Sequence, residues 1–246
     1  MRHGFRQIMM VLLGGMVAIS SQAQSALEVS PAAFDFGWAP QNATLVCEVW
    51  VHSSDEDTIT ITDIKTACGC LVVQPEPAQV TPGDSLSLLF YWQTRGFIGP
   101  RTISAYLYTG PDQQPRELTI GGNVVTENDS TASIHWWPRR LEFRPANRTH
   151  EKDIDQMITL INRTQTAMTV SLVEHGPELD LALPESIPAG QTVRVHATVA
   201  DDHPGGDFES SFTLEFSGNE NEPFRVSIPV VGGDFSFRPD FTTIRQ

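Results

Sequence analysis

Hydrophobic and polar residues alternate along several short segments of the chain. In Leu45–His52 every second residue is apolar, and the segments 85–88 and 192–195 show the same alternation. A period of two is typical of a strand with one face buried and the other face in solvent. Turns rich in Gly, Pro and Asp separate these segments, and we find no helical period after residue 24. The pattern predicts an all-β protein.

The pattern of the first half recurs in the second half. Leu27, Val29, Pro31, Phe34 and Phe36 return as Ile134, Trp136, Pro138, Leu141 and Phe143, each about 107 positions later. The strand predicted over 59–64 returns over 168–173. About seven short strands in roughly 100 residues indicate an immunoglobulin-like β-sandwich. The sequence therefore predicts two tandem immunoglobulin-like β-sandwich domains, over residues 24–126 and 134–233, joined by a polar linker over 127–133.

The start of the chain has the pattern of an export signal. Arg2 and Arg6 precede an apolar run over 8–19, and the small residues Ser21 and Ala23 follow it. This order predicts a cleaved signal peptide over residues 1–23. As a helix the apolar run is roughly 18 Å long, too short for a bilayer core of about 30 Å. We therefore expect a periplasmic or secreted protein without a transmembrane segment in its mature chain.

Charge narrows the classes of partner. The chain has 16 Lys and Arg against 30 Asp and Glu, a formal net charge of −14. Such a surface repels nucleic acid and anionic membranes, which we therefore exclude as partners.

The segment Gly83-Asp84-Ser85-Leu86 matches the nucleophile motif of an esterase family, but it leads into a strand rather than a helix. None of the 7 His follows an Asp by three residues, as that enzyme class requires. We expect no enzymatic activity.

Three short motifs occur in a fixed order in the first unit. They are Asp35-Phe36-Gly37, Cys68-Gly69-Cys70 and Pro82-Gly83-Asp84, and a strand over 118–125 closes the unit. This order resembles a family of secreted bacterial domains of unknown function, which is similar to the Hydin-type (ASH) and major-sperm-protein-like immunoglobulin folds. The resemblance covers nearly all of the first unit. It implies the fold and the compartment and leaves the function open.

The second unit departs from this family at the cysteine motif. Glu174-His175-Gly176-Pro177-Glu178 stands where the cysteines would be, and Leu71 replaces the Thr usual after the second cysteine. Because the second unit repeats the strand pattern without cysteines, the pair is not obligatory for the fold.

Cys68 and Cys70 are the candidate site. On an extended segment the two residues face the same side, with Cα atoms about 6.6 Å apart. Two converging thiolates select a soft ion such as Cu(I), which makes Cys68 and Cys70 candidate metal ligands. Alternatively, Gly69 permits a turn that closes a redox-active disulfide. A structural thiol pair or local staple is the third reading, and the sequence leaves all three open.

Cys47 belongs to the alternating strand and shares its apolar side with Val49 and Val51. If the chain returned antiparallel beside this strand, Cys47 would lie level with about Asp63, some 17 Å along the strand from Cys68. The sequence therefore predicts a buried core thiol rather than a third ligand.

Two aromatic features remain. Trp136 aligns with Val29, which predicts that Trp136 fills the core and that Trp137 points outward. The tail over 234–246 places Phe235 and Phe237 on one face, suited to docking on its own sandwich or on the sheet edge of a partner.

Our first functional hypothesis is a non-enzymatic module that binds an envelope protein or a cell-surface polymer through sheet faces and edges. The alternative is a periplasmic thiol site at Cys68 and Cys70.

Overall fold

The computed structural model describes residues 27–53, 58–74, 79–110, 114–143, 155–201, 206–218 and 221–233. The predicted signal peptide and C-terminal tail lie outside these residues. The described chain is built from strands and turns, and it contains no helix that could cross a membrane.

The first sandwich has ten strands. They are β1 (Leu27–Ser30), β2 (Ala33–Pro40), β3 (Thr44–Ser53), β4 (Ile59–Thr60), β5 (Asp63–Thr66), β6 (Leu71–Gln74), β7 (Gln79–Val80), β8 (Ser85–Gln93), β9 (Gly99–Tyr108) and β10 (Arg116–Val125). One sheet has the order β1-β3-β8-β6, and the facing layer has the order β2-β10-β9-β5. β4 and β7 form a separate short pair.

The second sandwich repeats this arrangement. Its strands are β11 (Ile134–Trp137), β12 (Leu141–Phe143), β13 (Asp155–Asn162), β14 (Met168–His175), β15 (Leu179–Ala182), β16 (Ser186–Ile187), β17 (Thr192–Val199), β18 (Phe208–Gly218) and β19 (Asn221–Gly232). The sheet β11-β13-β17-β15 corresponds to β1-β3-β8-β6, and β12-β19-β18-β14 corresponds to β2-β10-β9-β5. The prediction of two tandem immunoglobulin-like sandwiches is confirmed.

Each sandwich buries its own apolar cluster. Phe36, Phe90 and Trp92 are fully buried in the first, and Trp136 and Phe212 are fully buried in the second. Of the five matched pairs, the four apart from the prolines occupy equivalent places in the two clusters, because the alternating pattern turns the same positions inward in both.

The two sandwiches are joined through one sheet. β19 pairs with β2 in parallel at Val226 and Trp38, which merges the four-stranded layer of the first sandwich with β12, β19, β18, β14 and β16 of the second into a nine-stranded sheet. Next to this bridge the Ser227 hydroxyl donates a hydrogen bond of 2.6 Å to the Phe36 carbonyl. The Ser211 hydroxyl accepts the Val46 N–H at 2.8 Å and donates to the Val46 carbonyl at 2.9 Å. At the junction, serine hydroxyls of the second sandwich therefore hydrogen-bond to backbone groups of the first.

One predicted strand is divided in the structure. The segment predicted as a single strand over 59–64 is split, because β4 pairs with β7 while β5 pairs with β9 of the nine-stranded sheet. Ile61, fully buried between them, anchors the crossing from one pairing to the other. In the second sandwich the equivalent strand β14 is continuous.

Candidate functional site

The Cys68–Cys70 turn, residues 67–70, carries the chain from one sheet of the first sandwich to the other. At its start the Ala67 N–H donates to the Ser104 carbonyl on β9 at 2.9 Å. At its end the Gln93 N–H on β8 donates to the Cys70 carbonyl at 2.8 Å. The turn is therefore fastened at both ends to strands of opposite sheets.

Cys68 and Cys70 form a disulfide bond, with their Cα atoms 5.2 Å apart. The Cys68 carbonyl accepts hydrogen bonds from the Leu71 N–H at 3.3 Å and from the Thr66 hydroxyl at 3.0 Å. The Cys70 N–H donates to the Cys68 Sγ at 3.3 Å. Both cysteines are partly exposed, and apart from these two neighbours no described residue has an atom within 4 Å of the position that a Cβ on Gly69 would take. The outer side of the turn is therefore open to a reaction partner.

The second sandwich builds the same turn without cysteines. There the Leu179 N–H donates to the Gly176 carbonyl at 3.3 Å, and the Ala200 N–H donates to the Glu178 carbonyl at 2.9 Å. These are the counterparts of the bonds accepted by Cys68 and Cys70. The backbone hydrogen bonds alone thus hold this connection in the second sandwich, so the fold does not explain the cysteines in the first.

The disulfide also bears on the metal hypothesis. A sulfur bonded to another sulfur provides no thiolate, so Cu(I) binding at Cys68 and Cys70 requires reduction first. Within the described ranges, no group of three or more His, Cys, Asp or Glu side chains could hold a metal ion. The assignment of Cys68 and Cys70 as metal ligands stays a prediction.

Cys47 is a free thiol, 1% exposed in the core of the first sandwich. The register assumed for it from the sequence was wrong: β3 pairs with β1 and β8, and Asp63 lies on β5 in the other sheet. Pairing through β8 and β6 places Cys47 about 14 Å from Cys70, too far for a shared ligand. Burial, with a smaller contribution from the charge of Glu174, raises the pKa of the Cys47 thiol well above its ordinary value. Cys47 is therefore protonated and unreactive at neutral pH.

A second concave surface, the junction cleft, lies where β14 meets the outer face of β3 and β8. Its volume is about 470 Å³, and its lining includes Glu48, Ser87, Leu89, Leu172, Glu174 and His175. Leu172 is 37% exposed. Trp50, 47% exposed, follows Glu48 by two residues on the same face of β3. Apolar and acidic side chains from both sandwiches thus meet in one cleft.

The carboxylates of the cleft are close together. The Glu174 carboxylate accepts a hydrogen bond from the backbone N–H of Glu48, and the Ser87 hydroxyl donates to the Glu48 carboxylate. Burial first, and then the charge of Glu48, raise the pKa of Glu174. Neither carboxylate forms an ion pair with a cation among the described residues. The cleft is therefore acidic, and His175 is the basic side chain in its lining.

A groove on the opposite side of the junction has different chemistry. It encloses about 600 Å³ where Pro223–Arg225 of β19 approaches β2 and β10. Arg225 fills part of it, because its guanidinium contacts Glu215 at 2.9 Å and donates to the Asp35 carbonyl at 3.2 Å. These contacts engage Arg225 within the protein itself.

The first sandwich, which carries the three motifs, is similar to a known protein family. Residues 27–124 match the family described as "Protein of unknown function (DUF1573)". The first sandwich matches this family. The resemblance inferred from Asp35-Phe36-Gly37, Cys68-Gly69-Cys70 and Pro82-Gly83-Asp84 is confirmed. No curated protein sequence matches the chain.

Several solved structures are similar to the chain at low identity. A protein of unknown function from Porphyromonas gingivalis W83 is 11% identical, with a TM-score of 0.35, over 83% of this chain and 99% of that one. An ASH/PapD-like domain of human CEP192 is 8% identical, with a TM-score of 0.34, over 49% of this chain and 98% of that one. WR4, a Caenorhabditis elegans MSP family member, is 13% identical, with a TM-score of 0.31, over 42% of this chain and 100% of that one.

The junction cleft was missed in the sequence because its two walls come from distant segments. Glu48 and Glu174 belong to different repeats, and no motif links them. The orientation of the two adjacent tryptophans was predicted correctly, since Trp136 is 0% and Trp137 is 67% exposed. The only signal for the cleft was Trp50, an exposed aromatic residue between the polar Glu48 and His52 on the outer face of β3.

Proposed function

We propose that this chain is a non-enzymatic, periplasmic or secreted binding module that holds an envelope protein or a cell-surface polymer in the junction cleft. The observation that carries the proposal is the cleft itself, where exposed Leu172 lies beside the carboxylates of Glu48 and Glu174, neither of which forms an ion pair among the described residues. The signal pattern over residues 1–23 supports the compartment.

The joint between the sandwiches supports a preformed site. The bridge between Val226 and Trp38 and the Ser211–Val46 hydrogen bonds fix β14 and β18 against β3. A cleft that is already formed before binding loses less conformational entropy when the partner arrives. The same surface presents apolar contact area at Leu172 and acceptor groups at its carboxylates, which favours a partner that carries both apolar and cationic groups.

Site-specific crosslinking tests this proposal. A photoreactive residue at position 172 is compared with one at position 157, because Leu172 and Met157 are 37% and 40% exposed but Met157 lies on β13, outside the cleft. In the native envelope we expect a discrete adduct from position 172 that Glu48→Gln together with Glu174→Gln weakens. Adducts of the same kind and yield from position 157 contradict the proposal.

A second candidate function is thiol–disulfide exchange at Cys68 and Cys70. The specific observation in its favour is that the equivalent turn around Gly176 forms with the same backbone hydrogen bonds and no cysteine. A disulfide across three residues also removes little chain entropy, so its contribution to stability is only about 1.6 kcal/mol. A cysteine pair that the fold does not need, on an open turn, is suited to redox chemistry.

Thiol counting and intact mass measurement test the second candidate. After treatment with a protein dithiol such as reduced thioredoxin, we expect the native protein to gain two alkylatable thiols while buried Cys47 stays unmodified. The reduced protein is then offered Cu(I), and retention of one ion that is lost in Cys68→Ser supports the metal reading instead. If the dithiol does not reduce the Cys68–Cys70 disulfide, because the bond is inaccessible or inert, the result contradicts both thiol–disulfide exchange and Cu(I) binding.

A further inference from the structure

The two sulfurs of the Cys68–Cys70 turn have different surroundings. The Cys68 Sγ accepts the Cys70 N–H at 3.3 Å. Among the hydrogen bonds of the described residues, the Cys70 Sγ has no corresponding donor, whereas the Cys70 carbonyl is held by the Gln93 N–H at 2.8 Å. An N–H directed at a sulfur stabilises the negative charge that appears there when the disulfide opens.

We propose that the disulfide has a fixed polarity: an incoming thiolate attacks the Cys70 Sγ, and Cys68 leaves as the thiolate. This inference rests on the thiol–disulfide candidate above and assigns a different role to each cysteine. Exchange is faster when the departing sulfur is the better-stabilised thiolate, and the N–H of Cys70 already points at the Cys68 Sγ. The open outer side of Gly69 leaves space for the attacking group.

The substrate class is a protein dithiol, and the exchange balances in two steps. In the first step one partner thiolate forms a bond to the Cys70 Sγ, the Cys68–Cys70 bond breaks, and the Cys68 Sγ takes the electron pair. In the second step the second thiolate of the partner attacks the partner sulfur now bonded to Cys70, and Cys70 leaves as a thiolate. The partner ends as a disulfide, two electrons remain on Cys68 and Cys70, and both thiolates are free to take up protons.

Trapping the mixed disulfide in the native full-length protein tests the polarity. The oxidised protein is treated briefly with a monothiol probe such as glutathione, quenched with acid and alkylated before reoxidation. Peptide mapping by mass spectrometry then shows which cysteine carries the probe. We expect glutathione on Cys70 and the alkyl group on Cys68, in at least a tenfold excess over the reverse. Equal labelling, or glutathione mainly on Cys68, overturns the polarity.

This measurement separates the inference from the function on which it rests. If the disulfide does not react with glutathione or with thioredoxin, thiol–disulfide exchange itself fails. If it reacts but the probe lies on Cys68, exchange stands and only the assigned polarity is wrong.

Single-cysteine variants test in a second way whether the N–H of residue 70 stabilises the Cys68 thiolate. In Cys70→Ser the N–H at position 70 is kept, and we expect the Cys68 thiol to be alkylated with a pKa about one unit below that of the Cys70 thiol in Cys68→Ser. Cys70→Pro removes the N–H, and there the pKa of Cys68 should return to its ordinary range. Near-ultraviolet circular dichroism verifies that each variant is folded, and an unchanged Cys68 pKa in folded Cys70→Pro contradicts the inference.

Discussion

Burial at the junction changes the chemistry of individual side chains on both sandwiches. The Glu174 carboxylate leaves solvent to accept the backbone N–H of Glu48, and this places it beside a second carboxylate. Burial and the charge of Glu48 raise its pKa, because both disfavour the ionised form. The charge of Glu174, in turn, adds to the burial that raises the pKa of Cys47 on the opposite face of β3. A contact between the sandwiches thus affects a residue in the core of the first.

A raised carboxyl pKa makes stability depend on pH. Because the folded state binds the Glu174 proton more tightly than the unfolded state does, this residue lowers the free energy of unfolding as the pH rises above about 4.5. We expect Glu174→Gln to be more stable than the wild type at pH 7, since the amide oxygen still accepts the Glu48 N–H. The difference should vanish at pH 4, as measured by urea denaturation.

The exposed carboxylate Glu185 provides the control for this experiment. Glu185→Gln, in the loop before β16, should leave the difference from the wild type the same at both pH values. A Glu174→Gln variant that is less stable than the wild type at pH 7 contradicts the argument.

Among the strands, β2 is constrained from both sides, because it pairs with β10 of the first sandwich and with β19 of the second. At Gly37 the backbone has a φ of +63°, and a Cβ there would lie 2.2 Å from the Arg225 carbonyl oxygen on β19. Opposite Phe36 and Gly37, the register of β2 with β10 shifts between Gly121 and Asn123. The glycine of the Asp-Phe-Gly motif therefore allows β2 to bend and β19 to approach.

We expect Gly37→Ala to lower the free energy of unfolding by about 3 kcal/mol, from the left-handed backbone together with the overlap with Arg225. Gly83→Ala is the matched control, because Gly83 has a φ of +76° but no described residue other than its chain neighbours has an atom within 4 Å of the Cβ position. It should cost only about 1 kcal/mol. Equal losses in guanidinium denaturation would show that the close approach of β19 does not matter.

For the whole molecule, the nine-stranded sheet predicts that the two sandwiches unfold together. Their cores are separate, but the junction includes strand pairing and the two hydrogen bonds between Ser211 and Val46, all buried. Separating the sandwiches exposes Val46 and Ser211 to water and removes the cover of the outer face of β3. The free energy of unfolding of one sandwich therefore depends on whether the other sandwich is folded.

Ser211→Ala tests this coupling. The substitution leaves the N–H and the carbonyl of Val46 without their partner, and we expect a loss of about 2 kcal/mol. Ser210→Ala is the control, because the neighbouring Ser210 hydroxyl is buried without a hydrogen-bond partner in the described structure. Its loss should change stability by less than about 0.5 kcal/mol.

Hydrogen exchange measured by mass spectrometry on peptides of each sandwich reports the cooperativity. In the wild type both sets should become unprotected at the same denaturant concentration, and in Ser211→Ala the two transitions should move apart. Two separate transitions in the wild type would mean that the shared sheet does not couple the sandwiches.

Much of this protein was predictable from local sequence patterns. Alternation of apolar residues determines which side of a strand is buried, so the core position of Cys47 followed from periodicity, and that of Trp136 followed from its alignment with Val29 in the repeat. The two-fold repeat followed from apolar residues that recur about 107 positions apart. The place of Cys68 and Cys70 in the first unit followed from the order of the motifs before and after them. These features depend on residues that are adjacent or regularly spaced, where the two-residue period of a strand is sufficient information.

The tertiary structure alone decided how the parts meet. The division of the strand around Ile61, the pairing of β19 with β2 and the joining of Glu48 to Glu174 depend on which edges and faces meet in space. The Ser211–Val46 hydrogen bonds connect residues 165 positions apart. A strand period carries no information about such distant partners, because the same alternation is compatible with many pairings. For this reason the sequence determined two sandwiches and a cysteine pair, and the packing of one sandwich on the other determined the cleft.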